Sequence, residues 1–195
     1  MRLILASSSP RRGELLRQLL DGFEVIKPEI DESRQIGEGL VAYAERLSVE
    51  KAQAAVGMLG CGPALIIAAD TIVIDHAGEL LGKPADEADA RFMLRHLRAR
   101  AHQVVTAFSL HRTGERPKTI TSHALTTVHM RDYGDEEIDA YIASGDPFDK
   151  AGGYAIQNAA FHPVARIDGS YSNVVGLPLE SVEAALNQIG FPPSR

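Results

Sequence analysis

The amino-acid sequence predicts a mixed α/β protein with a partly antiparallel sheet flanked by helices. Three features carry that prediction. The chain opens as strand, turn and helix, it closes as strand and helix, and in its middle two long β-rich segments are separated only by a short turn. Alternating strands and helices favour parallel pairing, whereas a tight hairpin requires antiparallel pairing, so both belong in one sheet.

Leu3 to Ala6 reads as a short buried strand, Ser7 to Ser9 as a turn, and Pro10 to Leu20 as a helix with Leu15, Leu16, Leu19 and Leu20 inward. Phe23 to Lys27 is a second strand, followed by a polar loop from Pro28 to Gly39 and a long helix from Leu40 to Met58. Leu65 to Ile74 is a β-branched run interrupted by Asp70. His76, Ala77 and Gly78 make a turn before a short strand at Glu79 to Leu81. Helical spacing through Ala88, Phe92 and Leu97 predicts a helix over Ala85 to Arg98. The two long strands are His102 to His111 and Thr119 to Arg131. A helix over Asp135 to Ser144, an irregular Gly-rich stretch from Pro147 to Asn158, a strand at Val164 to Asp168 and a helix over Leu179 to Ile189 complete the chain. Lobe boundaries are expected near Leu81 to Ala85 and near Asp146.

The 195 residues fit one domain or two tightly joined lobes, and a chain of this length buries roughly 70% of the surface it exposes when unfolded. The single cysteine, Cys61, excludes an intrachain disulfide and a Cys-based metal motif, which suits a reducing cytoplasm. The longest apolar stretch, Leu65 to Ala69, falls far short of the ~20 residues of a membrane span. A formal net charge of -6 with no basic run argues against a nucleic-acid polymer as partner. A small anion held by a few placed cations remains compatible.

Three places in the sequence break local rules. Arg11 and Arg12 occupy the first turn of the first helix, where the helix dipole favours negative charge. An anion held there by Ser7, Ser8, Ser9, free backbone N–H groups and the arginines removes the conflict. The alternative is an ordinary Ser9 cap with two solvated arginines. Lys51 falls in the middle of the stripe formed by Leu40, Tyr43, Ala44, Leu47, Ala54 and Met58. It either snorkels to an edge or lines an anion site. Asp70 ends an apolar run at the place where open α/β sheets bind ligands, and calls for a metal ion, a cation or a water to deprotonate; a self-capped turn is the alternative. Thr71 points to the opposite side if extended geometry continues.

Weaker signals accompany these. Asp31 and Glu32 are an oxygen pair suited to Mg²⁺ or Mn²⁺, or a solvated acidic loop. Lys83, between Gly82 and Pro84, is a surface cation or a phosphate contact. Gln157, in the Gly-punctuated loop that begins at Asp149, pairs with a base edge or satisfies backbone groups. The seven histidines show no zinc-ligand spacing and read as surface or strand residues. No Walker, Gly-x-Gly-x-x-Gly or Gly-x-Ser-x-Gly motif is present.

Taken together, Leu5-Ala6-Ser7-Ser8-Ser9-Pro10-Arg11-Arg12, Ala69-Asp70-Thr71, Gly82-Lys83-Pro84, Asp149-Lys150-Ala151-Gly152 and Gly176-Leu177-Pro178-Leu179 resemble the Maf family of nucleotide pyrophosphatases, in the family's order and over essentially the whole chain. The resemblance implies one domain spanning 1–195, with a fold similar to the inosine triphosphate pyrophosphatases, two lobes around a central cleft, and a homodimer. It implies metal-dependent cleavage of a nucleoside triphosphate between its α- and β-phosphates. Asp70, Lys51 and Lys83 are then catalytic, Ser8, Arg11, Arg12, Thr71 and Gln157 bind substrate, and Glu32 and Asp70 hold Mg²⁺ or Mn²⁺. Arg11, Thr71 and Gln157 resemble the dTTP/UTP-preferring members, with 7-methyl-GTP as the alternative. Asn158 and Ala159 depart from the glycines often found after Gln157 in that family. Association of the family with septum formation keeps open a nucleotide-binding regulator with little turnover.

Overall fold

In the computed structural model, residues 1–60 and 62–193 are described; Cys61 lies outside them. Seven strands form one sheet: β1 (Arg2–Ala6), β2 (Glu24–Ile26), β3 (Ala64–Ile74), β4 (Leu80–Leu81), β5 (Ala101–Arg112), β6 (Lys118–Met130) and β7 (Val164–Asp168). Their order is β2-β1-β3-β5-β6-β7, with β4 paired to β3. β1 runs parallel to β2 and β3, whereas β3 with β4 and β6 with β7 are antiparallel. Residues 113–117 join the neighbouring strands β5 and β6, a link too short for a parallel crossover, so this pair is a hairpin. The predicted mixed sheet is what forms.

The helices are α1 (Pro10–Leu16), α2 (Leu40–Met58), α3 (Glu87–Leu97), α4 (Asp135–Ala143), α5 (Tyr171–Val175) and α6 (Leu179–Gln188). α1 is shorter than its sequence periodicity implies. The chain continues as turns in which the Leu19 and Leu20 amides donate to Leu16 O, and this keeps both leucines buried. In α3 the buried face is Ala90, Met93, Leu94 and Leu97, while Phe92 is 62% exposed. Of the residues whose spacing marks this helix, Leu97 lies on the buried face, while Ala88 and Phe92 form a second, exposed apolar stripe. In α2, Met58 is likewise exposed, and the buried stripe runs through Tyr43, Ala44, Leu47, Ser48, Ala52 and Ala55.

The chain divides into two compact units. The first comprises residues 1–70, 106–124 and 176–195, and the second residues 71–105 and 125–175. The changes of unit fall inside β3, β5 and β6 and ahead of Gly176. The sequence reading put them near Leu81 to Ala85 and Asp146, but a continuous strand carries no compositional mark of such a change. In the first unit, Ala52 and Ala55 of α2 pack on Ile4, Ala6, Ala64, Ile66 and Ala68. Small residues on both sides allow close approach of helix and sheet, which sets the depth at which the neighbouring Lys51 is delivered. The second unit has its own core, including Leu94, Leu97, Val104, Val128, Tyr133, Ile138, Tyr141 and Phe161.

Candidate active site

The sheet register explains where the site lies. β1 ends at Ala6, which pairs with Ala68, whereas β3 continues to Ile74. Asp70 therefore projects beyond the carboxyl end of its parallel neighbour, without ending its own strand as the sequence implied. Ligands in open α/β sheets gather at such strand ends. Ser7 follows Ala6 at the same level, and α1 begins three residues later.

Asp70 is 7% exposed, and its Oδ1 accepts a hydrogen bond from Lys51 Nζ at 2.6 Å. The same ammonium lies 2.7 Å from Glu32 Oε1. Lys51 thus points inward and does not snorkel to solvent. Its side chain is 12% exposed, that of Asp70 10%, and that of Glu32 53%, so the cluster opens to solvent on the Glu32 side. Two carboxylates converging on one cation are an all-oxygen donor set for a hard divalent ion, and Mg²⁺ or Mn²⁺ fits them.

Arg12 braces the same strand end. Its Nε donates to Gly176 O at 2.8 Å, and its Nη1 donates to Ala69 O at 2.7 Å and to Ser7 Oγ at 3.3 Å. Burial pushes the guanidinium below its ordinary value, with Asp70 opposing that shift, Arg11 adding to it and Glu32 opposing it. Arg12 stays charged, since an arginine this close to carboxylates has no route to deprotonation. These bonds tie three of the motifs together: the serine-arginine segment, Ala69-Asp70 and Gly176-Leu177-Pro178-Leu179. The ordinary-cap alternative fails on two counts, because the half-buried Arg12 is bonded to protein carbonyls and Ser9 makes no side-chain cap bond. Instead Ser7 Oγ accepts from Ser9 N at 3.1 Å. Ser8 is exposed at the entrance to α1, and Arg11 is half-buried in its first turn.

Glu32 is positioned by residues that sequence reasoning did not single out. Tyr43 OH donates to Glu32 O at 2.7 Å, and Arg46 Nη2 donates to Ser33 O at 3.0 Å. Arg46 also grips Glu38, whose carboxyl is pushed down to about 2 chiefly by that side-chain bond. One helix thereby fastens the polar loop at several points. The signal was available in Tyr43: a tyrosine on a buried stripe needs a partner for its hydroxyl. Asp31 separates from Glu32, since its Oδ1 accepts from Ser33 N at 2.9 Å and closes a local turn.

Thr71, Lys83 and Gln157 belong to the second unit. Thr71 follows Asp70 within β3, so their side chains leave opposite faces of the strand. Lys83 is exposed, between Gly82 and the buried Pro84. Gly152 N donates to Gly82 O at 2.9 Å, which joins the Gly82-Lys83-Pro84 and Asp149-Lys150-Ala151-Gly152 segments. Gly152 sits at φ +71° with its Cα facing Val73, where an added Cβ would lie 3.1 Å from Val73 Cγ1, so the left-handed backbone favours glycine and the space around it is tight. Gln157 is exposed. Its neighbour Asn158 donates through Nδ2 to Asp146 Oδ2 at 3.0 Å and accepts through Oδ1 from the Ala160 and Phe161 amides. Asp146 also accepts from Tyr141 OH at 2.9 Å and from the buried Lys150 at 2.9 Å. Side-chain bonds therefore hold this loop.

Comparison with known proteins identifies the family. The family model described as "Maf-like protein" matches residues 2–189. A dTTP/UTP pyrophosphatase of Chromobacterium violaceum is 45% identical over 97% of this chain and 96% of its own. A dTTP/UTP pyrophosphatase of Geotalea uraniireducens is 47% identical over 96% and 95%. Among solved structures, a HAM1 protein from Coxiella burnetii is similar with a TM-score of 0.53 at 19% identity, covering 96% of this chain and 99% of that one, a likeness of fold. With a family match over almost its full length and relatives of this identity, the chain belongs to the Maf family.

Proposed function

We propose that this protein is a nucleoside triphosphate pyrophosphatase that converts dTTP and UTP to the monophosphate and pyrophosphate with the help of Mg²⁺ or Mn²⁺. The observation that carries the reading is the buried Asp70 carboxylate joined to Lys51 and Glu32 at the end of the parallel strands, in a chain whose relatives named above act on those nucleotides.

Asp70 accepts a proton from the water that attacks the α-phosphorus, and pyrophosphate leaves. Lys51 fixes the orientation of the Asp70 carboxylate through its 2.6 Å contact. Lys51, Arg12 and Lys83 place positive charge where the phosphate oxygens become more negative. Ser8 and Arg11 receive phosphate at the start of α1. Glu32 and Asp70 hold the divalent ion, which when bound supplies Lewis-acid polarisation of phosphate oxygens. Gln157 offers an amide that both donates and accepts, matching the O4–N3 edge of thymine and uracil, with Arg11 and Thr71 completing the selection.

Pyrophosphate release by the purified protein with Mg²⁺ or Mn²⁺, across dTTP, UTP, CTP, GTP, ATP, ITP and 7-methyl-GTP, tests the reading. Selective release from dTTP and UTP is expected. Preference for 7-methyl-GTP would overturn the roles given to Arg11, Thr71 and Gln157, and tight binding without release would favour a nucleotide-binding regulator. Sedimentation of the same preparation tests the homodimer.

A further inference from the structure

The second unit contains a cluster of a different kind. Asp75 directly follows β3, His76 is next in the turn, and His96 lies in the last turn of α3. The turn fixes Asp75: its Oδ1 accepts from the Ala77 and Glu79 amides at 2.8 Å each, and its backbone N–H donates to Glu79 O at 2.9 Å. Oδ2 is left facing His96 Nε2 at 2.7 Å. Burial works to raise the Asp75 carboxyl, but the Glu79 amide, His96 and the Ala77 amide outweigh it and hold the group below the usual carboxylate range.

The His76 ring lies alongside that of His96, with ring centres 4.7 Å apart, and Phe92, one helical turn before His96, stacks on it with ring centres 5.7 Å apart. One ligand atom from each of Asp75, His76 and His96 lies within 4.8 Å of the others. A tetrahedral ion with bonds of about 2.0–2.1 Å separates its ligand atoms by roughly 3.3 Å, so binding turns the three side chains toward a common point. Two imidazoles and one carboxylate select a borderline transition ion, whereas the all-oxygen pair Glu32 and Asp70 suits a hard one. We propose that Asp75, His76 and His96 bind one zinc-class divalent ion, water completing the tetrahedron, and that this ion clips the turn after β3 to α3. Asp75 is the anchor, held by two amides before any ion arrives. Phe92 supplies the apolar wall that orients His96.

The test uses the full chain, stripped with a chelator and titrated with zinc alone by calorimetry in excess Mg²⁺, which occupies oxygen-only sites. One equivalent of zinc is expected, together with a rise in Tm. His76→Gln and His96→Gln should each weaken zinc binding at least about tenfold and abolish the rise in Tm. His76 is exposed, so its variant keeps the fold, which far-UV circular dichroism verifies. Cys61→Ser and His123→Gln should bind zinc as the parent does. Absence of stoichiometric binding, binding that survives both His76→Gln and His96→Gln, or loss in Cys61→Ser would each overturn the proposal.

Discussion

Asp70 and Asp75 come from the same strand run, are the same residue type and are equally buried, at 7% and 8% exposure, yet their surroundings assign them different chemistry. Asp70 faces a lysine, with a second carboxylate on the far side of that ammonium and an arginine bracing the backbone before it. Its charge is balanced by groups that also attract phosphate and a hard cation. Asp75 is satisfied by two backbone amides and an imidazole, which leaves a rigid carboxylate beside nitrogen donors. What a buried carboxylate does is decided by its partners, and the side chains among them come from elements distant in sequence: α2 and the loop before it for Asp70, α3 for Asp75.

The sharpest way to break this comparison is to neutralise Asp70. Asp70→Asn should slow pyrophosphate release from dTTP by about 10²–10⁴-fold while nucleotide binding, followed by calorimetry, is retained. Lys51→Met should come next, costing about 10²–10³-fold in kcat, because it removes the charge that steadies the phosphate oxygens and leaves two carboxylates facing each other. Full activity in either variant would detach that residue from the chemistry.

A third prediction concerns stability. His102, buried in the second unit, shares a 2.7 Å hydrogen bond through Nε2 with Tyr154 OH, while its Nδ1 has no partner. Burial, reinforced by His129, lowers its pKa from 6.5 to about 4. Between those values the unfolded chain binds the extra proton, so stability is fully present above pH 6.5 and falls as pH drops toward 4, by about 3 kcal/mol from this residue. The urea midpoint should fall over that range in the parent, and less steeply in His102→Gln. An identical pH dependence in both would remove His102 as a cause. The smallest effect is expected from Asp75→Asn. Weakening the bond to His96 should cost about 1–2 kcal/mol of stability in urea unfolding and leave turnover per folded molecule unchanged. A loss of turnover there would merge the two aspartates into one function.

Much of the first cluster was legible in the sequence, because Arg12, Lys51 and Asp70 each violate a local rule. A cation in a helix start, a lysine on an apolar stripe and an aspartate in a buried run all demand partners: Lys51 and Asp70 supply each other, and Arg12 finds the Ala69 and Gly176 carbonyls. The helix and strand periods also placed α2, β3 and β7 within a residue of their observed limits. Other features were not legible. The grip of Arg46 on the Glu32 loop depends on side-chain geometry, and the bond from Arg12 to Gly176 spans most of the chain. The inward face of α3 had two solutions of equal period. The histidines gave no metal spacing in sequence, since His76 and His96 meet only when the turn after β3 packs against α3.

Hydrolysis of dTTP in ¹⁸O-labelled water, with Asp70→Asn run in parallel, tests the central claim most directly. If water activated at Asp70 attacks the α-phosphorus, the label enters dTMP alone, pyrophosphate is unlabelled, and the variant yields neither product at a comparable rate. Label in pyrophosphate, or labelled dTMP formed as fast by Asp70→Asn as by the parent, would contradict it.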